Sequence, residues 1–206
     1  MVEEIKKLRD IFNDIVTRVR NFLFFSKMKK IKFNVGSGGI NNDKNWYATD
    51  IHSLNLTKNI DWKKLLFNLR IDNIMAEHVW EHLTEEDTIL ANNNCYKYLK
   101  RGGILRIAVP DGFHPEKKYI DYVKPGGNGA GADDHKILYT YKTMVERLER
   151  SGFTVQLLEY WDENGNFHFV EWADDAGHIT RSKRYDERNQ NGALNYTSLI
   201  VDAKKR

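Results

Sequence analysis

The chain has 206 residues, 41% of them hydrophobic and 30% charged, with a formal net charge of +3. That is enough for one core of ordinary globular composition and too little charge of one sign for a general pull on nucleic acid. The lack of any apolar run near the roughly 18 residues that span a bilayer argues against a membrane helix, Val2-Glu3-Glu4 does not open a signal peptide, and the single Cys95 excludes an internal disulfide and suits a reducing, cytoplasmic compartment.

Residues 3 to about 26 predict an amphipathic helix, because Ile5, Leu8, Phe12, Ile15, Val19 and Phe22 recur at steps of three and four and share one face. Its aromatic tail, Phe22 to Phe25, followed by Lys27, Lys29, Lys30 and Lys32, is a composition that can rest on an anionic membrane surface. The interspersed Glu3, Glu4, Asp10 and Asp14 favour packing on the domain or on a second copy of it. Residues 1–30 are set apart on this basis as a helical appendage and 31–206 as the main domain.

Strands are predicted at 31–37, 45–51, 70–78 and 103–111, the last dense in β-branched residues as buried parallel strands are. A helix runs from its expected N-cap Thr84, with Asp87 three residues on, to a stop at Gly102-Gly103. A second helix, about 139–151, ends at Gly152. Residues 153–161 and 196–205 form the last strands and can pair antiparallel. Strands alternating with helices argue for an α/β architecture, a mostly parallel sheet covered on both faces. Two stretches read as irregular: 112–138, rich in glycine, and 161–195, whose Trp, Phe, His and Arg content argues for a functional loop rather than disorder.

"NVGSGG" (34–39) lies at the carboxyl end of the first strand, where open α/β sheets bind ligands, and glycines there let the backbone approach a ligand closely. The spacing Gly36-x-Gly38-Gly39 is not G-x-G-x-x-G, since the sixth position is Asn41, which counts against a nicotinamide dehydrogenase. Asp50, at the tip of the next strand, can accept two hydrogen bonds from ribose hydroxyls.

The succession "KFNVGSGG", "WYATDI", "IMAEHVWEHLTEED" and "YLKRGGILRIAVPD" resembles a class I S-adenosylmethionine-dependent methyltransferase, and within that class the small bacterial group in which the glycine loop is followed almost at once by the strand ending in Asp. "DDAGHITRSKRYDERN" and "YTSLIVDAKK" are similar to that group's end, so the resemblance covers about 31–206. It implies a seven-stranded Rossmann-like sheet with an antiparallel last strand. It implies S-adenosyl-L-methionine as cofactor, with Gly36, Ser37, Gly38 and Gly39 toward its methionine moiety, Asp50 on the ribose, Ile51 on the adenine, and Glu77 and His78 close by. The sequence departs from the group in having Asn34 where many members have an acid, and Asn55 or Leu56 where an acid often meets the adenine. The gap between Gly39 and Trp46 leaves no room for a normal first helix.

"AEHVWEHL" (76–83) contains H-x-x-E-H, the pattern of inverted zinc peptidases, which opens a zinc-hydrolase reading through His78 and His82. Zinc would need both imidazoles on one helical face and a third ligand. The preceding strand and the cap at Thr84 make 78–83 a connector instead, so no metal is assigned, and His82 reads as structural. Methyl transfer needs a base only for a hydroxyl or protonated amine acceptor. The candidates are His135, after two acids in a loop that should overhang the cleft, with His78 and His114. Asp111 or Asp134 would partner one of them. Trp172, Arg181 and Arg184 are the candidate substrate contacts, since arginines with aromatics suit a phosphate- or sugar-bearing molecule. The resemblance implies a small-molecule or carbohydrate-type acceptor. The rival from another class is a non-catalytic binding module with this fold, serving a partner through residues 3–30.

Overall fold

The computed structural model describes residues 2–39, 44–189 and 192–206. Seven strands form one sheet: β1 (Lys32–Val35), β2 (Tyr47–Ala48), β3 (Ile71–Glu77), β4 (Leu99–Pro110), β5 (Phe153–Trp161), β6 (Phe167–Phe169) and β7 (Ser198–Lys205), in the order β2-β1-β3-β4-β7-β5-β6. The pairs β1–β2, β1–β3 and β3–β4 are parallel, while β4–β7, β5–β7 and β5–β6 are antiparallel. β1 to β5 therefore share one direction, and β7 inserts reversed between β4 and β5. This is the Rossmann-like, mostly parallel α/β sheet expected, with its last strand antiparallel.

The helices are α1 (Val2–Phe25), α2 (Asn59–Leu66), α3 (Glu85–Tyr98), α4 (Lys117–Val123) and α5 (Tyr141–Arg150). Strand alternation divides the core. Ile74 and Ala76 of β3, Leu105 and Ile107 of β4, and Leu199 and Val201 of β7 join one cluster with Trp62 of α2, Cys95 of α3 and Leu148 of α5. The intervening Met75, Ala108 and Ile200 join a second cluster with Trp172 and Ile179 of the long C-terminal loop. That loop is thus a packed wall of the domain.

Thr84 caps α3, its hydroxyl oxygen accepting from Asp87 N–H at 3.1 Å. Four features differ from the expectation, one being β6, which forms inside the stretch 161–195 that reads as irregular. α2 occupies a stretch that carried no assigned element. α4 forms inside 112–138, because Tyr119 and Val123, one turn apart, pack on Tyr196. Gly102-Gly103 does not end α3, which stops at Tyr98. β4 starts at Leu99, pairs with Ile71, bulges, and resumes pairing at Ile104. Gly102 turns the bulge at φ 77°.

α1 is held at its C-terminal end. Phe25 is buried against Phe33 and Tyr47, and Phe22 meets Phe67 edge-on at 6.0 Å. The aromatic tail thus anchors the helix to the domain. The apolar stripe further along, Ile5, Leu8, Phe12, Ile15 and Val19, is exposed. Among the described residues no helix is long and apolar enough to cross a membrane.

Candidate functional site

The chain passes from β1 to β2 on one side and returns to β3 on the other, so β1 marks the point where the strand order reverses, and open α/β sheets bind ligands outside the carboxyl ends of the strands there. A cleft of about 800 Å³ opens at that place, walled by the β1 turn, the β3–α3 connector, the 122–135 loop and the C-terminal loop.

The glycine turn has two parts. At Gly36, φ 65°, a Cβ would lie 2.4 Å from Val79 Cγ2, so this glycine lets the connector pack on the turn. At Gly38, φ 58°, a Cβ would meet nothing within 4 Å, and the backbone faces open cleft. Ser37 N–H donates to Thr49 O at 2.9 Å and Thr49 N–H to Asn34 O at 2.8 Å. These bonds carry the β1–β2 pairing past the strand ends and bring Asp50 to the same rim. Asp50 Oδ1 accepts from the N–H groups of His52 (3.0 Å) and Ser53 (3.3 Å), which hold this exposed carboxyl below the usual range. Gly39 and Asp50 stand just beyond the cleft wall. Ile51 beside them is 68% exposed. Residues 40–43, including Asn41, lie outside the described residues.

Glu77, at the end of β3, accepts from Thr180 N–H (3.1 Å) and Arg181 N–H (2.7 Å), so its carboxylate fastens the C-terminal loop across the carboxyl edge of the sheet. His78 has a left-handed backbone, φ 55°, uncommon for a residue with a side chain and typical of positions fixed by their surroundings. Its Nε2 is 3.1 Å from Ser198 Oγ, and its Nδ1 is 3.0 Å from Glu81 Oε1, off the line of a hydrogen bond. Glu81 is 1% exposed, and neither carboxylate oxygen has a hydrogen bond among the described residues. His82 and His135 close this end of the cleft with ring centroids 4.8 Å apart, edge to face.

Several expected site residues lie elsewhere. Asp111 is fully buried and accepts from Phe113 N–H (2.9 Å) and Trp161 N–H (2.7 Å), fixing the end of β5. Burial pushes its carboxyl up to about 6. His114 stacks on Tyr119 at 3.9 Å and accepts from Glu116 N–H, and burial pushes it down to about 4. Neither reaches the cleft, so both are corrected from catalytic candidates to structural groups. Leu56 packs in the core, where its carbonyl accepts from Trp62 Nε1 and Asn94 Nδ2. Trp172 and Arg184 are corrected too. Buried Trp172 donates from Nε1 to Glu159, and exposed Arg184, its guanidinium 4.5 Å from the Trp172 ring, donates to Trp172 O and Asp174, so the two brace the C-terminal loop. Of the substrate candidates only Arg181 lines the cleft, beside Tyr185, Arg188 and Tyr196.

Sequence reasoning missed Glu81 and set His82 aside. The H-x-x-E-H pattern marked both, but the pair that meets is His82 with His135, from a separate loop, rather than His78 with His82.

No protein-family model and no curated protein matches the sequence. Among solved structures, a SAM-dependent methyltransferase from Archaeoglobus fulgidus is 18% identical, with 93% of this chain and 94% of that chain covered and a TM-score of 0.48. An O-methyltransferase family protein from Burkholderia thailandensis is 11% identical, with 97% and 60% covered and a TM-score of 0.49. The Haemonchus contortus phosphoethanolamine N-methyltransferase 2, solved with S-adenosyl-L-methionine, is 9% identical, with 68% and 38% covered and a TM-score of 0.38. Likeness this distant carries no argument about chemistry, which rests on the cleft itself.

Proposed function

We propose that the chain is a class I S-adenosylmethionine-dependent methyltransferase acting on a small acceptor of carbohydrate type. The observation that carries this reading is the bond from Ser37 N–H to Thr49 O. It seats the open glycine bend and the Asp50 carboxylate side by side at the switch-point end of the sheet. The residues there fit an adenosyl sulfonium. Gly38 leaves space for close approach of the methionine portion, Asp50 is an ionised acceptor for ribose hydroxyls, and exposed Ile51 offers an apolar platform for the adenine.

When bound, S-adenosylmethionine supplies a methyl group already activated on sulfur, so the protein's part is orientation and exclusion of water. The loop fastened by Glu77 walls the cleft on one side. At the acceptor end His78 and His135 face the cleft, and an imidazole there can take the proton that an acceptor hydroxyl releases. Arg181 with Tyr185 and Tyr196 suits a sugar group, while the Arg188 guanidinium is held by the Asp186 carboxylate beside them.

Calorimetric titration tests the reading. S-adenosylmethionine and its demethylated product should bind in the micromolar range, and Asp50→Ala should weaken both about tenfold or more by removing charge-assisted hydrogen bonds. A folded protein that takes up neither ligand at millimolar concentration overturns the enzyme reading. That result would favour a binding module whose membrane or dimer contact runs through residues 3–30.

A further inference from the structure

We infer that Glu81, His82 and His135 form a binding site for one divalent first-row metal ion of the zinc type. One ligand atom from each residue lies within 4.8 Å of the others. Proximity alone would be a weak argument, and the hydrogen bonds around the cluster make it stronger. His135 Nδ1 is 2.6 Å from Val123 O, and a carbonyl can only accept, so Nδ1 carries the proton. His82 Nδ1 is 3.2 Å from Asp134 Oδ2, and a carboxylate oxygen accepts, so there too the imidazole donates. With Nδ1 as the donor in both rings, the tautomer that can bind a cation carries its lone pair on Nε2. An outer hydrogen bond of this kind orients metal-bound histidines.

The third member is the buried Glu81 carboxylate, which has no hydrogen bond among the described residues; His78 Nδ1 stands 3.0 Å from its Oε1 but off the line of one. Such a group is stable when paired or bound to a cation. The two imidazoles cannot donate to it from Nδ1, because those protons are committed elsewhere. A carboxylate facing two lone pairs is electrostatically incomplete, and a cation among them completes it. The scaffold is also pre-set: Glu81 O accepts from Lys136 N–H (2.6 Å) and Ile137 N–H (3.2 Å), which ties the connector to the loop that carries His135. Two imidazoles and one carboxylate with a side open to the cleft are the donor set of an open zinc site. Nitrogen ligands favour Zn²⁺, Co²⁺ or Fe²⁺ over Mg²⁺ or Ca²⁺. The site stands whether or not methyl transfer occurs. If the proposed function holds, the ion sits at the acceptor end, and His135 is a ligand rather than a free base.

The test is direct binding of the metal alone to the full chain after treatment with a chelator. Calorimetry with Zn²⁺ should give one site per chain, and Co²⁺ should give visible absorption bands of a nitrogen- and oxygen-ligated ion. His82→Ala and His135→Ala should each weaken Zn²⁺ binding by at least about tenfold, and Asp134→Asn, which weakens the outer hydrogen bond and the surface pair with Lys136, by about tenfold. His82 is partly exposed and Asp134 exposed, so these two variants should retain wild-type far-ultraviolet dichroism with chelator present. Absence of Zn²⁺ uptake by wild type at submillimolar concentration overturns the proposal, as do unchanged constants in His82→Ala and His135→Ala. Loss of S-adenosylmethionine binding would leave this site untouched, and loss of Zn²⁺ binding would leave the adenosyl site untouched.

Discussion

Gly36 and Gly38 share a left-handed backbone for different reasons, and their alanine variants should separate fold from ligand. Gly36→Ala adds a Cβ against Val79 to the backbone strain, and urea unfolding should show a loss of about 2–4 kcal/mol. Gly38→Ala meets no neighbour and should cost only about 1–2 kcal/mol of strain, yet it should remove S-adenosylmethionine binding, because its methyl enters the space the ligand needs. Equal stability losses with binding intact in both would contradict this division. A second residue-scale prediction concerns pH. The pKa of His114, depressed on folding to about 4 from an unfolded value near 6.5, contributes stability that is present above about pH 6.5 and lost as pH falls toward 4. Asp111, raised to about 6, acts oppositely, its contribution being lost as pH rises through 6. His114→Phe keeps the stack on Tyr119 and removes one side of this pair. Its melting temperature should therefore fall less than that of wild type between pH 6.5 and 4.5, and parallel melting curves would refute the assignment.

At the scale of elements, the C-terminal loop depends on Arg106. Its guanidinium pairs with Asp202 of the neighbouring strand at 2.7 and 2.8 Å, and its Nη1 donates to Ala173 O and Gly177 O. Arg106→Met leaves a carboxylate and two carbonyls unpaired, so it should destabilise the domain by about 3–5 kcal/mol and open the 171–189 segment to protease before the sheet. Simultaneous cleavage throughout would contradict the loop's dependence on this side chain. α1 is the opposite case. Its stripe from Ile5 to Val19 is exposed, so removing residues 1–20 should shift the melting temperature little, and a large loss would mean that this face is covered in solution. The same contrast explains what the sequence displayed. Thr84, Asp87 and the β-branched strands are local signals with a fixed period, and they placed β1, β3, α3 and β7. α4 and β6 are short elements that depend on distant partners, Tyr196 for the one and β5 for the other, and no periodicity reveals such contacts. Gly102-Gly103 signalled a break correctly, but the break is a bulge within β4 rather than the end of a helix.

For the molecule as a whole, the strand order does what the alternation of elements suggested. It reverses at β1 and opens a cleft over the carboxyl ends of the sheet. The glycine turn and Asp50 were legible as positions at one rim of the sheet, because a glycine pair and an acid at successive strand ends are compact local patterns. The far end was not. His135 reaches His82 only through the folding of the 122–135 loop, and Trp172 and Arg184, which suggested a substrate contact by composition, are spent in holding the loop that walls the cleft. The central claim is that this cleft grips an adenosyl sulfonium. A crystal structure of the chain grown with the demethylated product, S-adenosylhomocysteine, tests it most directly. The account predicts ligand density with the ribose hydroxyls within hydrogen-bond distance of the Asp50 carboxylate and the amino-acid portion over Gly38. Ligand bound elsewhere, or none at saturating concentration in a cleft left open, would contradict it.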